Sequence, residues 1–121
     1  MIEKIKAKEK EARLLEPSES EREVLRDQII QYTEGFLNNI DDIKAYVIAE
    51  KKGEALYDNP ISEEGINIED AIELIYKNVD TPGLNPASGG HLGYIPGGGI
   101  YVSALADYMA DVSNRYAGVF F

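Results

Sequence analysis

The sequence predicts a mostly α-helical chain with three main helices and one long loop rich in glycine and proline. Three observations predict it. Apolar residues recur at steps of three and four in three separate stretches. Residues that cap or break helices stand at the ends of those stretches. Composition also changes sharply near residue 81: residues 1–80 carry 20 acids and 11 bases, whereas residues 81–121 carry only Asp107, Asp111 and Arg115. The later stretch holds 8 of the 11 glycines and 6 of the 11 aromatic residues. The first part reads as solvated helices and the second as a segment meant for burial. Three regions follow: 1–16, a charged tail or frayed helix; 17–80, acidic helices; and 81–121, a loop and a helix.

Residues 1–15 are rich in Lys and Glu and are expected to be a frayed helix or tail. Pro17 and Ser18 end it. Ser18 or Ser20 can cap the next helix, with Glu21 or Glu23 in its first turn. Leu25, Ile29, Tyr32, Phe36 and Ile40 then form one apolar stripe, closed by Asn38, Asn39, Asp41 and Asp42. Ala45 to Ala49 fits a short strand or a helical turn. Residues 51–53 and 58–60 read as turns. Ile68, Ile72, Ile75 and Val79 make a second stripe, with Glu69, Asp70 and Glu73 near its positive end, and Thr81-Pro82-Gly83 stops it. Residues 84–99 are loop by composition. The third stripe is the most regular: Tyr101, Ala104, Leu105, Tyr108, Met109, Val112 and Tyr116. Two phenylalanines at positions 120 and 121, where a solvated terminus is expected to be polar, suggest a sequence that stops partway through something larger.

Composition excludes several functions. An apolar fraction of 44% argues for folding rather than wholesale disorder. A net charge of −10 argues against nucleic acid and against a polybasic membrane contact. No apolar run approaches the ~18 residues of a membrane helix, and residues 1–13 lack the apolar core of a signal peptide. The absence of cysteine removes disulfides and thiolate metal sites, which fits a reducing, cytoplasmic setting.

Few residues suggest chemistry directly. Gly97-Gly98-Gly99 ahead of a helix can cradle an anion, but it is neither a P-loop nor a dinucleotide fingerprint, and a turn requiring close backbone approach explains it equally. His91, the one histidine, has no companion for a metal site and no acidic orienter for a nucleophile. Asp107 suits a structural role, accepting from a backbone amide or pairing with Arg115. Asp111 and Arg115 stand one turn apart, the spacing of a helical ion pair. Tyr94, between Gly93 and Pro96, either walls a pocket or plugs a core beside Tyr101.

The stretch DTPGLNPASGGHLGYIPGGGIYVSALADYMADVSNRYAGVFF, residues 80–121, resembles the N-terminal region of group II pyridoxal-phosphate (PLP) decarboxylases, the family of glutamate, aromatic-amino-acid, diaminobutyrate and tyrosine decarboxylases. The usual pattern is a small-residue or proline loop, H-x-x-x-Y-x-P, a small-residue run, an aromatic, and a helix reading S-x-L-A-D. Here these are His91, Tyr94, Pro96, Gly97 to Gly99, Tyr101, and then Ser103, Leu105, Ala106 and Asp107. Two residues rather than three separate His91 from Tyr94, and Val102 stands where the family often has proline. The match covers about a third of the chain, and LEPSESEREVLRDQIIQYTEGFL resembles the family's first helix more loosely.

The resemblance implies the N-terminal part of a fold-type I, aspartate-aminotransferase-like α/β enzyme acting on an amino-acid substrate. It implies an intimate homodimer, or a complementing decarboxylase subunit as partner. In the family the N-terminal segment wraps over the partner subunit. His91, Tyr94, Ile95, Pro96 and Gly97 would line the substrate entrance. Tyr101, Leu105, Asp107, Tyr108, Tyr116, Val119 and Phe121 would serve structure and dimer contact. A glycine at 97 leaves room for a bulkier substrate. PLP chemistry requires a lysine, a carboxylate on the pyridine nitrogen and a stacked aromatic, usually histidine. In the family the lysine follows a histidine well downstream. Here all eight lysines lie at or before Lys77 and none follows a histidine. His91 matches the loop histidine, not the stacking one. The expectation is a decarboxylase fragment without a catalytic residue, inactive alone and binding no cofactor or metal by itself. The alternative is a non-catalytic interaction module that docks on a full-length or split-gene decarboxylase.

Overall fold

A computed structural model describes residues 1–93, 99–115 and 118. The chain is mostly α-helical there. Helix α1 spans Ile2–Ala12, followed by a 3-10 turn at Arg13–Leu15. Of the expected frayed helix or tail, the chain forms a helix of three turns. Extended Glu16, followed by Pro17, leads to α2, Glu19–Asn38. Ser18 caps α2 with a complete capping box: the Glu21 backbone N–H donates to Ser18 Oγ at 3.4 Å, and the Ser18 backbone N–H donates to Glu21 Oε2 at 2.7 Å. These bonds hold the Glu21 carboxyl below its ordinary pKa, the Ser18 hydroxyl contributing most.

Helix α3 spans Ile68–Ile75 and is capped by Asn67, whose side-chain oxygen accepts from the Asp70 backbone N–H at 2.8 Å. The second apolar stripe predicts one helix to Val79. Instead the last turn widens into a π segment, Tyr76–Asp80, closed by a bond from Thr81 N–H to the Tyr76 carbonyl at 2.9 Å. Asp80 in this widened turn accepts from the Tyr32 hydroxyl, and the Tyr32 and Tyr76 rings meet edge to face with centroids 6.4 Å apart. Gln28 donates to Glu69 a few turns away. These contacts fasten α2 to α3.

Of the strand or helical turn expected over residues 45–49, two residues form a strand. β1, Tyr46–Val47, pairs antiparallel with β2, Gly83–Leu84, matching Tyr46 to Leu84 and Val47 to Gly83. The expected loop from Leu84 therefore starts inside a ladder. Helix α4, Tyr101–Ser113, begins where the third stripe predicts and ends at Asn114, which takes the left-handed conformation with φ 37°.

Burial departs from expectation. Among the described residues no apolar side chain is fully buried, and the one buried polar side chain is Ser88, 6% exposed. A chain of this length can bury a modest core, yet its stripes stay half-open. Leu25, Ile29 and Phe36 on α2 keep 38–43% of their surface exposed. Part of the segment expected to be buried is open: every residue of α4 is exposed.

Candidate functional site: the loop 83–93 and helix α4

The loop that carries His91 leaves β2 under tight control. Asn85 N–H donates to the Ala45 carbonyl at 2.9 Å, continuing the ladder by one bond. Asn85 Oδ1 accepts from Ala87 N–H at 3.0 Å, and the Asn85 carbonyl from Ser88 N–H at 3.2 Å. Such turns are why Asn and Ser concentrate in loops. Ser88 Oγ donates to the Ile43 carbonyl at 2.5 Å and accepts from Gly90 N–H at 3.2 Å. One buried hydroxyl thus pins the loop to the segment ahead of β1. A Cβ on Gly90 would stand 3.5 Å from the Ala45 Cβ, so the two segments lie in contact. Gly83 turns into the loop with φ 88°, a region that favours glycine.

His91 is half-buried, and its backbone N–H donates to the Ser88 carbonyl at 3.0 Å. The loop geometry therefore delivers His91 to a defined place. Tyr94, Ile95, Pro96 and Gly97 lie outside the described residues, as do Gly98, Tyr116, Val119 and Phe121. Sequence reasoning missed Ser88 and Asn85, although the run Asn-Pro-Ala-Ser-Gly-Gly carries the turn chemistry that marks them.

The expected contact residues of α4 share one helix. Tyr101, Leu105, Tyr108, Met109 and Val112 retain between 43% and 72% of their surface. Tyr101 reaches back to α2, donating to Glu34 Oε1 at 3.1 Å, and the Glu34 carboxylate pushes its pKa above the usual tyrosine value. Asp107 is exposed and forms no ion pair among the described residues. The expected Asp111–Arg115 pair does not form, because the helix ends at Ser113 and the left-handed Asn114 turns Arg115 off its face.

The described residues do not fit PLP. All eight lysines are exposed, and Lys8 and Lys77 engage Glu11 and Glu73. Lys52 borders an open depression beside β1, with Tyr46, Val47, Asn78 and Val79 among its walls, but these walls carry no carboxylate for a pyridine nitrogen and no histidine. Among the described residues no group of three or more His, Cys, Asp or Glu could hold a metal ion. No described helix is long and apolar enough to cross a membrane. The sequence matches no protein-family model, no curated protein and no solved structure.

Proposed function

We propose that this chain is the N-terminal segment of a PLP-dependent amino-acid decarboxylase of group II, a carboxy-lyase of fold-type I. It contributes the substrate-entrance loop and part of the dimer interface, and the cofactor machinery belongs to polypeptide outside these residues. The observation that carries this reading is the ordered run from His91 through Tyr94, Pro96 and Tyr101 to Asp107. The open apolar side chains of α4 support it, since a helix of this composition reaches a favourable state by covering Leu105, Tyr108 and Val112 with another surface. The exposed lysines support placing the imine-forming amine elsewhere.

The test is reconstitution. A group II decarboxylase is stripped of its own N-terminal segment, and this chain is fused in its place. Release of labelled CO2 from an amino acid is the expected result, lost again when residues 80–121 are removed. Alone with PLP and borohydride, the chain should yield no stoichiometric pyridoxyl-lysine. Labelled CO2 from the chain alone overturns the reading. Supplying the chain in trans, unfused, separates a covalent segment from the alternative, a docking module: a module restores activity as a separate polypeptide.

A further inference from the structure

Residues 43–50 alternate without a break. Ile43, Ala45, Val47 and Ala49 are half-buried, whereas Lys44, Tyr46, Ile48 and Glu50 are exposed. A period of two is the burial pattern of a strand with one covered face, and here it runs past the two residues that pair with β2. The sheet has two strands, so β1 keeps a second edge. Asn85 N–H donates to the Ala45 carbonyl. Ala45 and Asn85 are therefore a hydrogen-bonded pair, and Tyr46 stands in the alternate, non-bonded pair with Leu84. The Tyr46 N–H and carbonyl consequently point away from β2, and no described residue bonds them.

An open depression adjoins this strand. Its apolar walls include Val47, Ile48, Val79 and Pro82, and among the described residues Lys52 is the one charged group on them. Lys52 forms no ion pair among the described residues. The turn that carries it sits directly on the π segment: a Cβ at buried Gly53 would stand 3.2 Å from the Asn78 carbonyl oxygen. Residues 43–53 carry three bases against one acid, a net of +2, in a chain of net −10. The acids nearest in sequence, Asp42, Glu50 and Glu54, lie outside the walls of the depression. Tyr46 and Ile48 keep 62% and 83% of their surface exposed.

We propose that the outer edge of β1 receives an extended acidic segment of another polypeptide as a third strand, with an apolar side chain in the depression and a carboxylate on Lys52. Strand addition draws its affinity from unpaired backbone groups and its selectivity from the pockets beside them, and both are present here. The charge decides the occupant. Lysines on an open edge discourage pairing with a like edge, and a second copy would bring to a two-fold contact the same patch, with a lysine and no wall carboxylate. An acidic strand is the complement. Residues 43–50 lie outside both stretches that carry the decarboxylase resemblance, so the inference stands apart from that reading.

The probe is a labelled short peptide of alternating valine and glutamate, added to the full chain and followed by fluorescence anisotropy. Saturable binding is expected, and amide exchange at Tyr46 should slow about tenfold at saturation, because that N–H gains a partner. Replacing the peptide's glutamates by lysines should abolish binding. Lys52→Glu should weaken it about tenfold at low salt, whereas Lys52→Arg should keep it. Lys52 is exposed, so both variants should retain the helix content of the parent by circular dichroism. Absence of saturable binding at millimolar peptide overturns the proposal, as does equal binding of the lysine peptide. Binding that leaves Tyr46 exchange unchanged overturns it too. A peptide-free dimer in which the Tyr46 amide is already protected overturns it in favour of a second copy.

Discussion

Two regions of this molecule answer the same problem, an incompletely covered apolar surface, in opposite ways. The body formed by α2, α3, the π turn and the β1–β2 ladder compensates with specific polar ties across long sequence separations: Tyr32 to Asp80, Gln28 to Glu69, and Ser88 to the Ile43 carbonyl. Helix α4 is as apolar as a core element, yet its side chains stay exposed and one hydroxyl, that of Tyr101, links it back to α2. The body is held in shape by directional bonds that work without a closed core. Helix α4 is shaped by its own backbone ladder, and its apolar side chains stay uncovered. The contrast places the described long-range ties within residues 18–91 and leaves the apolar side chains of residues 101–113 uncovered.

The largest expected effect tests the second half of that contrast. Leu105→Glu/Tyr108→Glu places two charges on the exposed face of α4. Helix content of the free chain, read by circular dichroism, should change little, because neither side chain is buried there. Binding to a decarboxylase stripped of its N-terminal segment should weaken about a hundredfold, about 2.7 kcal/mol. Loss of structure in the free chain would place α4 among the elements that hold the body together.

Next comes the body. Ser88→Ala removes the hydroxyl that bonds the Ile43 carbonyl and receives Gly90 N–H, and leaves both backbone groups unpaired in a part-buried position. The cost should be about 1–3 kcal/mol, read as faster amide exchange of residues 83–91. Ser88→Thr, which keeps the hydroxyl, should recover much of it. Exchange rates unmoved by the alanine variant would mean that the ladder alone fixes the loop.

Much of this architecture was legible before the structure. A capping box was legible from spacing as Ser18 or Ser20 with Glu21 or Glu23, because such partners lie within one helical turn, and the fold selects Ser18 and Glu21. The start of α4 follows from the glycine run ahead of it. Pairings between distant segments were not legible. β1 and β2 contribute two residues each, too few for an alternation to show, and lie 36 residues apart between Val47 and Gly83. The π turn was hidden because Val79 keeps the apolar stripe in step while the backbone widens to bring Asp80 to Tyr32. The Asp111–Arg115 pair assumed a helix through 115, and the left-handed Asn114 ends it first. At the candidate site His91 was legible as a loop residue, whereas Ser88, which fixes that loop, has a function only once Ile43 is known to lie beside it.

A smaller effect follows from the tie between α2 and the π turn. Burial first, and then the hydrogen bond to Asp80, raise the Tyr32 pKa to about 12. A folded-state value above the unfolded one, near 10, means that this stabilisation is complete below pH ~10 and is lost as pH rises through the folded value of about 12. Exchange protection of α3 should therefore hold to pH ~10 and fall between there and about 12. Tyr32→Phe should remove about 0.5–1.5 kcal/mol at neutral pH and flatten that pH dependence. A variant that keeps the decline would assign it to other groups.

The smallest effect belongs to the single polar side-chain link between the regions among the described residues. Tyr101→Phe removes the donor to Glu34 and leaves the ring. Both partners face solvent, so water replaces the lost bond and global stability should not move measurably. What should change is the freedom of α4 relative to α2. A spin label at Asp111 and another at Gln31 should report a broader distance distribution in the phenylalanine variant, with α4 still helical. In the parent chain the same broadening should appear at high pH, because the Glu34 carboxylate raises the Tyr101 pKa: the link is whole below the ordinary tyrosine value and disappears only once that hydroxyl ionises. Identical distributions in both chains would show that α4 is oriented by its backbone connection rather than by this bond, and the contrast between a fastened body and an uncovered helix would then be sharper still.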